Sequence, residues 1–388
     1  ALIRRDWKLL GITAFSIGLV MGFVRRVTRS HNGFSRAFGP GWQRRIPLSL
    51  RAHLLPCRWP VLARSPQNAE RHADIVYNKN LKTGKALLAD IWIPKNIQST
   101  GLGVIYIHGG AWRFGTKDMG TRPFFQRLAS QGHVVMDIEY TLWPHGDIPN
   151  MIQEVKQAIL WLRQNCTTYG VSPDHIVLMG GSAGGHLALM AAYTPNHPAF
   201  KPDSNEGDTT VRAAVAFYPP TDFRSLIQGT QSLDRHPKLG KVYTLLRKAV
   251  QDGPRGIFRL AVQLIKSPPI KDDDNLYNSG SDLNQGSFLV QLFGSSPEGF
   301  TEAYQMLSPF AHIGSHCPPT LLLQGTDDFF MLAPGVRRLH QALRQAGVKS
   351  ILAEFPHSDH AFDLIFPQIS PAAQAATYDV ERFLALML

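Results

Sequence analysis

The sequence predicts an α/β fold, with a mostly parallel central sheet flanked by helices and a hydrophobic, basic leader in front. Three observations carry this reading. From residue 74 onward, short β-prone apolar runs alternate with amphipathic helical stretches, the signature of strand–helix–strand crossovers. Strand candidates such as GVIYIHGG (103–110) and HIVLMG (175–180) have unbroken apolar centres, as strands covered on both faces must. A glycine cluster, MGGSAGGH (179–186), lies between a strand and a helix, where glycine's backbone freedom serves a sharp turn and not a linker.

Composition narrows the class. A chain of 388 residues with 44% hydrophobic and 18% charged residues is globular and has ample core. The net charge of +11 is confined to residues 1–69, which hold twelve Lys/Arg against the single acid Asp6. The remaining residues carry 28 charges of each sign and sum to zero. A neutral body behind a basic leader lacks the basic patch of a nucleic-acid reader, and no nucleic-acid partner is expected. Cys57, Cys166 and Cys317 are too scattered for a disulfide framework or a zinc site, and shielded thiols are expected.

Taken in order, residues 1–29 read as a targeting or anchoring segment. Leu9–Val24 is an uncharged run of sixteen residues between basic flanks, short of the roughly 20 that a spanning helix needs. Flanking Trp7, Arg and Lys could extend it at an interface. The expectation is a single-pass N-terminal membrane anchor with the body facing the cytosol, and the alternative is a mitochondrial presequence. Residues 30–70, without lasting periodicity, read as a linker or a strap over the body.

The body spans 71–388. DIVYNKN and ALLADIWIP form a hairpin around KTGK. After strand 103–110 come a helix in PFFQRLASQG and a strand in HVVMDIEY. MIQEVKQAILWLRQN (151–165) is an amphipathic helix with Ile152, Val155, Ile159 and Leu162 on one face. VRAAVAFYPP, PTLLLQG and SILAEFP are further strands, and GVRRLHQALRQAG and AAQAATYDVERFLALM are helices. About 224–305 is far longer than one crossover requires and reads as a helical cap insertion.

The glycine cluster now acquires chemistry. Gly180-Gly181-Ser182-Ala183-Gly184 matches G-x-S-x-G between strand and helix, so Ser182 projects from a tight turn at a helix amino terminus. A serine needs a base held by a third group. In chain order, LLLQGTDDFF puts carboxylates beyond one strand and FPHSDHAFD puts histidines beyond the next. Strand-Gly-x-x-Asp spacing favours Asp328 over Asp327, and the small–aromatic pair after it favours His360 over His357. HGGAW (108–112) follows an early buried strand, so the N–H groups of Gly109, Gly110 and Ala183 are the expected oxyanion donors, with His108 as scaffold. Trp112, Tyr140 and Asp222 are candidates for the pocket wall.

These motifs, HGGAW, VVMDIEYTLWP, GGSAGGHLAL, GTDD and SDHAF, resemble the hormone-sensitive-lipase-like branch of the α/β-hydrolase superfamily and the neighbouring arylformamidase-like esterases. The resemblance implies a serine esterase with a Ser182–His360–Asp328 triad, and the insertion together with the leader suggests a hydrophobic small-molecule or lipid-like ester as substrate. No metal or organic cofactor is required for such chemistry. Hydrolysis of an amide or formamide, acyl transfer, or a cyclising biosynthetic reaction would use the same residues. A non-catalytic ligand receptor on this fold is disfavoured because all three triad candidates are present.

Overall fold

The computed structural model describes residues 2–63, 66, 68–80, 83–202, 207–223, 302–328 and 330–388. Among them, eight strands pair into one sheet: β1 (Ala69–Lys79), β2 (Ala86–Pro94), β3 (Gly101–Ile107), β4 (Val134–Ile138), β5 (Val171–Gly181), β6 (Ala213–Phe217), β7 (Thr320–Gly325) and β8 (Ser350–Phe355). Their order across the sheet is β1-β2-β4-β3-β5-β6-β7-β8. β1 and β2 form the expected antiparallel hairpin, and β2 meets β4 antiparallel. From β4 to β8 every pairing is parallel.

The described helices are α1 (Leu2–Val27), α2 (Gly33–Phe38), α3 (Leu48–Arg51), α4 (Arg122–Ala129), α5 (Ile148–Gln164), α6 (Cys166–Tyr169), α7 (Ala183–Tyr193), α8 (Glu302–Met306), α9 (Ala333–Gln345) and α10 (Pro371–Ala385). The sheet separates two cores, which explains the unbroken apolar strands. On β5, Ile176 and Leu178 join the core shared with α5, α7 and α9, whereas Val177 and Met179 join the core shared with α4 and α10. The expected face of α5 (Ile152, Val155, Ile159, Leu162) is fully buried. This helix starts three residues earlier than its periodicity suggests, because the Asp147 side chain caps it by accepting from the Asn150 N–H at 2.8 Å.

Two expectations for the N-terminal region find no support. Among the described residues no helix is long and apolar enough to cross a membrane, so the single-pass anchor is not borne out. The carboxyl end of α1 instead meets the body, burying Val24 and Val27, with the Phe23 ring 6.3 Å from that of His357. Cys57, expected to be shielded, is exposed, while Cys166 and Cys317 are buried thiols.

The stretch after α1 behaves as a strap. Phe34, Trp42, Leu50 and Leu54 complete the core on the α10 side. Two buried carboxylates of α10 hold it: Asp379 pairs with His31 and Arg58, and Glu381 accepts from the Leu55 N–H at 2.7 Å. Glu381 also binds Arg127 and, at 2.7 Å, Gln131. The cap insertion expected at about 224–305 lies, apart from residues 302–305, outside the described residues.

Candidate active site

Parallel strands place their following loops on one edge of the sheet, and this edge gathers the chemistry. Ser182 follows β5, Asp328 follows β7, His360 follows β8, and the 108–112 loop follows β3. Ser182 stands between β5 and α7 at φ 54°, ψ −122°, a conformation that side chains rarely adopt. The turn closes because its neighbours lack side chains. A Cβ on Gly180 would lie 2.5 Å from the Gly184 carbonyl, and one on Gly184 would lie 2.0 Å from the Ile107 oxygen.

The Ser182 Oγ is 3.0 Å from His360 Nε2, and His360 Nδ1 is 2.9 Å from Asp328 Oδ2. Asp328 is buried and well supplied with donors. Its Oδ1 accepts from the N–H groups of Phe330 (2.9 Å) and Met331 (2.7 Å), and Gln324 Nε2 donates to Oδ2 at 3.3 Å. Burial alone lowers the affinity of His360 for a proton. The charge of Asp328 and its hydrogen bond outweigh burial, with help from Asp359 and Asp363, so the imidazole pKa is raised above its ordinary 6.5. The rejected alternatives sit together at the rim, where exposed His357 Nδ1 lies 3.6 Å from Asp327 Oδ2.

The 108–112 loop abuts the serine turn so closely that a Cβ on Gly109 would lie 2.9 Å from the Gly181 oxygen. Gly110, Ala111 and Trp112 all have positive φ. Gly109 and Gly110 lie on this loop, and Ala183 opens α7 directly after Ser182. His108 is buried with Nδ1 2.7 Å from the Gly109 oxygen, and burial pushes its pKa down to about 4. It is therefore neutral and shaped for support.

The pocket-wall candidates have other partners. Tyr140 is buried, stacks on His108 at 4.4 Å and donates its hydroxyl to the His108 oxygen at 3.1 Å. Buried Trp112 donates its indole N–H to His186 Nδ1 at 3.3 Å, and His186 Nε2 in turn donates to the Leu307 oxygen at 2.7 Å. Both aromatic residues brace the loop. Asp222 lies 3.8 Å from Arg338 of α9. Sequence reasoning missed Gln324, Tyr218 and Asp363, which surround the triad. A glutamine inside the apolar run LLLQG was a readable signal for the first; nothing local marks the other two. Among the described residues no cluster of His, Cys, Asp or Glu is arranged to hold a metal.

A parallel sheet with a serine on a strained strand-to-helix turn, at the edge where a histidine and a carboxylate meet it, defines an α/β-hydrolase. The chain has that fold, and the proteins it resembles are carboxylic ester hydrolases and esterases. The BD-FAE family model matches residues 89–257. The chain is 32% identical over 305 residues to the probable carboxylic ester hydrolase LipM of Mycobacterium tuberculosis, covering 78% of this chain and 58% of that protein. Esterase LipQ of the same organism is 29% identical over 301 residues, covering 76% of this chain and 58% of that protein. The chain thus spans somewhat more than half the length of these relatives. Among solved structures, a thermophilic esterase from the planctomycete Thermogutta terrifontis, with propionate bound, matches the fold with a TM-score of 0.55 at 22% identity. That match covers 81% of this chain and 92% of the esterase.

Proposed function

We propose that this chain hydrolyses a carboxylic ester through an acyl-enzyme, with Ser182 as nucleophile, His360 as general base and acid, and Asp328 as its partner. The observation that carries the reading is the unbroken relay from Ser182 Oγ through His360 to Asp328, with spacings of 3.0 and 2.9 Å. As Oγ bonds to the acyl carbon, His360 Nε2 takes its proton, and Asp328 stabilises the imidazolium. The negative oxygen of the tetrahedral intermediate is met by the N–H groups of Gly109, Gly110 and Ala183. His360 then gives its proton to the departing alcohol oxygen as the acyl carbon–oxygen bond breaks. Water, deprotonated by the same nitrogen, attacks the acyl-enzyme, and the proton returns to Oγ as the acid leaves.

A hydrophobic substrate is supported by the exposed apolar side chains of Ile365, Phe366 and Ile369 on the loop that follows His360. The names of the relatives favour esters over amides.

The test is turnover of chromogenic esters from acetyl to palmitoyl by the full chain beside Ser182→Ala. Loss of about 1,000-fold or more in kcat for the variant is expected. Undiminished turnover in Ser182→Ala would end the serine mechanism. Appearance of the acyl group on an added alcohol instead of free acid would reassign the chain to acyl transfer.

A further inference from the structure

A second carboxylate stands behind the candidate base, outside the triad. Tyr218, the residue after β6, is buried and held at φ 37°. Its ring centroid is 4.5 Å from that of His360, the two planes inclined by 55°. Its hydroxyl donates to Asp363 Oδ1 at 2.5 Å. The same hydroxyl reaches beneath the serine turn, since a Cβ on Gly181 would lie 3.1 Å from it. Tyr218 therefore touches three parts at once: the residue before the nucleophile, the imidazole face, and Asp363, three residues beyond His360. The Tyr218 backbone N–H is tied to the Leu323 oxygen of β7 at 2.7 Å, so the sheet carrying Asp328 fixes it too.

We infer that Asp363, held by Tyr218, is a positioning residue for His360: it fixes the imidazole through the Tyr218 ring packed against it and adds a second negative charge that stabilises the imidazolium. The inference rests on the triad reading above. Its chemical logic is that a histidine flanked by one carboxylate through Nδ1 and another across an aromatic wedge is held in both orientation and charge.

The groups facing this histidine are Asp328 from the loop after β7, Tyr218 just after β6, and Asp359 and Asp363 on its own loop. The Phe330 ring, 5.3 Å away, adds an apolar wall. Facing Asp363 are Tyr218, His360 and Tyr106 of β3. Burial pushes the Asp363 carboxyl up to about 6, while the Tyr218 hydroxyl and His360 favour its ionised form. At neutral pH the ionised form dominates, and its charge acts with Asp328 to raise the imidazole pKa.

The experiment follows the rate of Ser182 labelling by a fluorophosphonate against pH, in the full chain, for wild type, Asp363→Asn and Tyr218→Phe. In this reaction Oγ bonds to phosphorus as fluoride leaves, and neutral His360 takes the proton. The acid limb of the wild-type profile reports the imidazole. Asp363→Asn removes a charge that favours imidazolium, so the limb should move to lower pH by about half a pH unit or more. Tyr218→Phe keeps the packing but removes the donor that keeps Asp363 ionised, so its limb should move the same way by less. Superimposable limbs in the folded variants would overturn the inference and leave the triad standing. If Asp363→Asn does not fold, Tyr218→Phe decides alone. Absence of Ser182 labelling in folded wild type would instead remove the triad reading on which the inference depends.

Discussion

Ser182, Tyr218 and Ala361 have φ of 54°, 37° and 57°, in the left-handed region that favours glycine, and all three lie in or beside the triad. Strain of this kind persists only where the surroundings over-determine it. Here the constraint is close backbone approach. Gly184→Ala would drive a methyl to within 2.0 Å of the Ile107 oxygen and 2.5 Å of that of His108. We expect it to destabilise the fold by at least about 1–3 kcal/mol, read as a lower urea midpoint, and to abolish fluorophosphonate labelling. The carboxylates divide cleanly at this scale as well. Asp328→Asn should reduce kcat by about 10,000-fold, because the imidazole loses the partner that sets its tautomer. Asp327→Asn, at the exposed rim with His357, should stay within about threefold of wild type in the same assay. Equal losses in the two variants would mean that the spacing argument chose the wrong acid.

At the scale of elements, the strap is part of the body and not a tether. It covers α10, whose Asp379 and Glu381 are buried and depend on His31, Arg58 and the Leu55 N–H from the strap. Removing one side of a buried ion pair costs about 3–5 kcal/mol, because the charge left behind has no water to replace its partner. Deleting residues 2–63 should therefore lower stability by at least that amount in urea titrations. Deleting residues 2–22, which stops short of buried Val24 and Val27, should leave the midpoint near that of the full chain. α7 shows the same logic at its far end. Buried Lys156 donates to the Thr194 and Pro195 carbonyls where α7 ends, so the helix that carries Ser182 at its start is tied down at its finish.

For the whole molecule, three buried histidines define an acid limit. Burial pushes His108, His133 and His186 down to about 4, so each is neutral in the folded protein and regains an ordinary affinity for protons when unfolded. The folded pKa values lie below the unfolded ones. The stability they contribute is complete above about pH 6.5 and is lost as pH falls from there toward 4. Each is worth on the order of 3 kcal/mol across that window. Tm should fall steeply as pH drops from 6.5 to 4. A flat profile through that range would show that these side chains take up protons without unfolding.

Much of the architecture was legible beforehand because it rests on short-range rules. Apolar runs without alternation marked the parallel strands, and the G-x-S-x-G turn, Gly-x-x-Asp spacing and histidine after β8 marked the triad candidates. Element ends were harder: α5 begins at Ile148 because Asp147 caps it, an effect of one side chain on one N–H. The leader was harder still: its composition does not say what covers it, and the structure buries Val24 and Val27 against the body while Ile12, Phe15, Ile17 and Leu19 stay exposed.

By itself, then, the sequence determined the α/β alternation, the tight turn that lifts Ser182, and the chain order serine–carboxylate–histidine, because backbone sterics and strand burial act over a few residues. Only the tertiary structure decided which carboxylate meets His360, that residues 31–63 complete a core, and that Tyr218 and Asp363 stand behind the imidazole. Tyr218 and Asp363 are 145 positions apart in the chain. Their meeting is decided by the order in which β6, β7 and β8 pair, and sheet order is a property of the packed whole that local spacing does not encode.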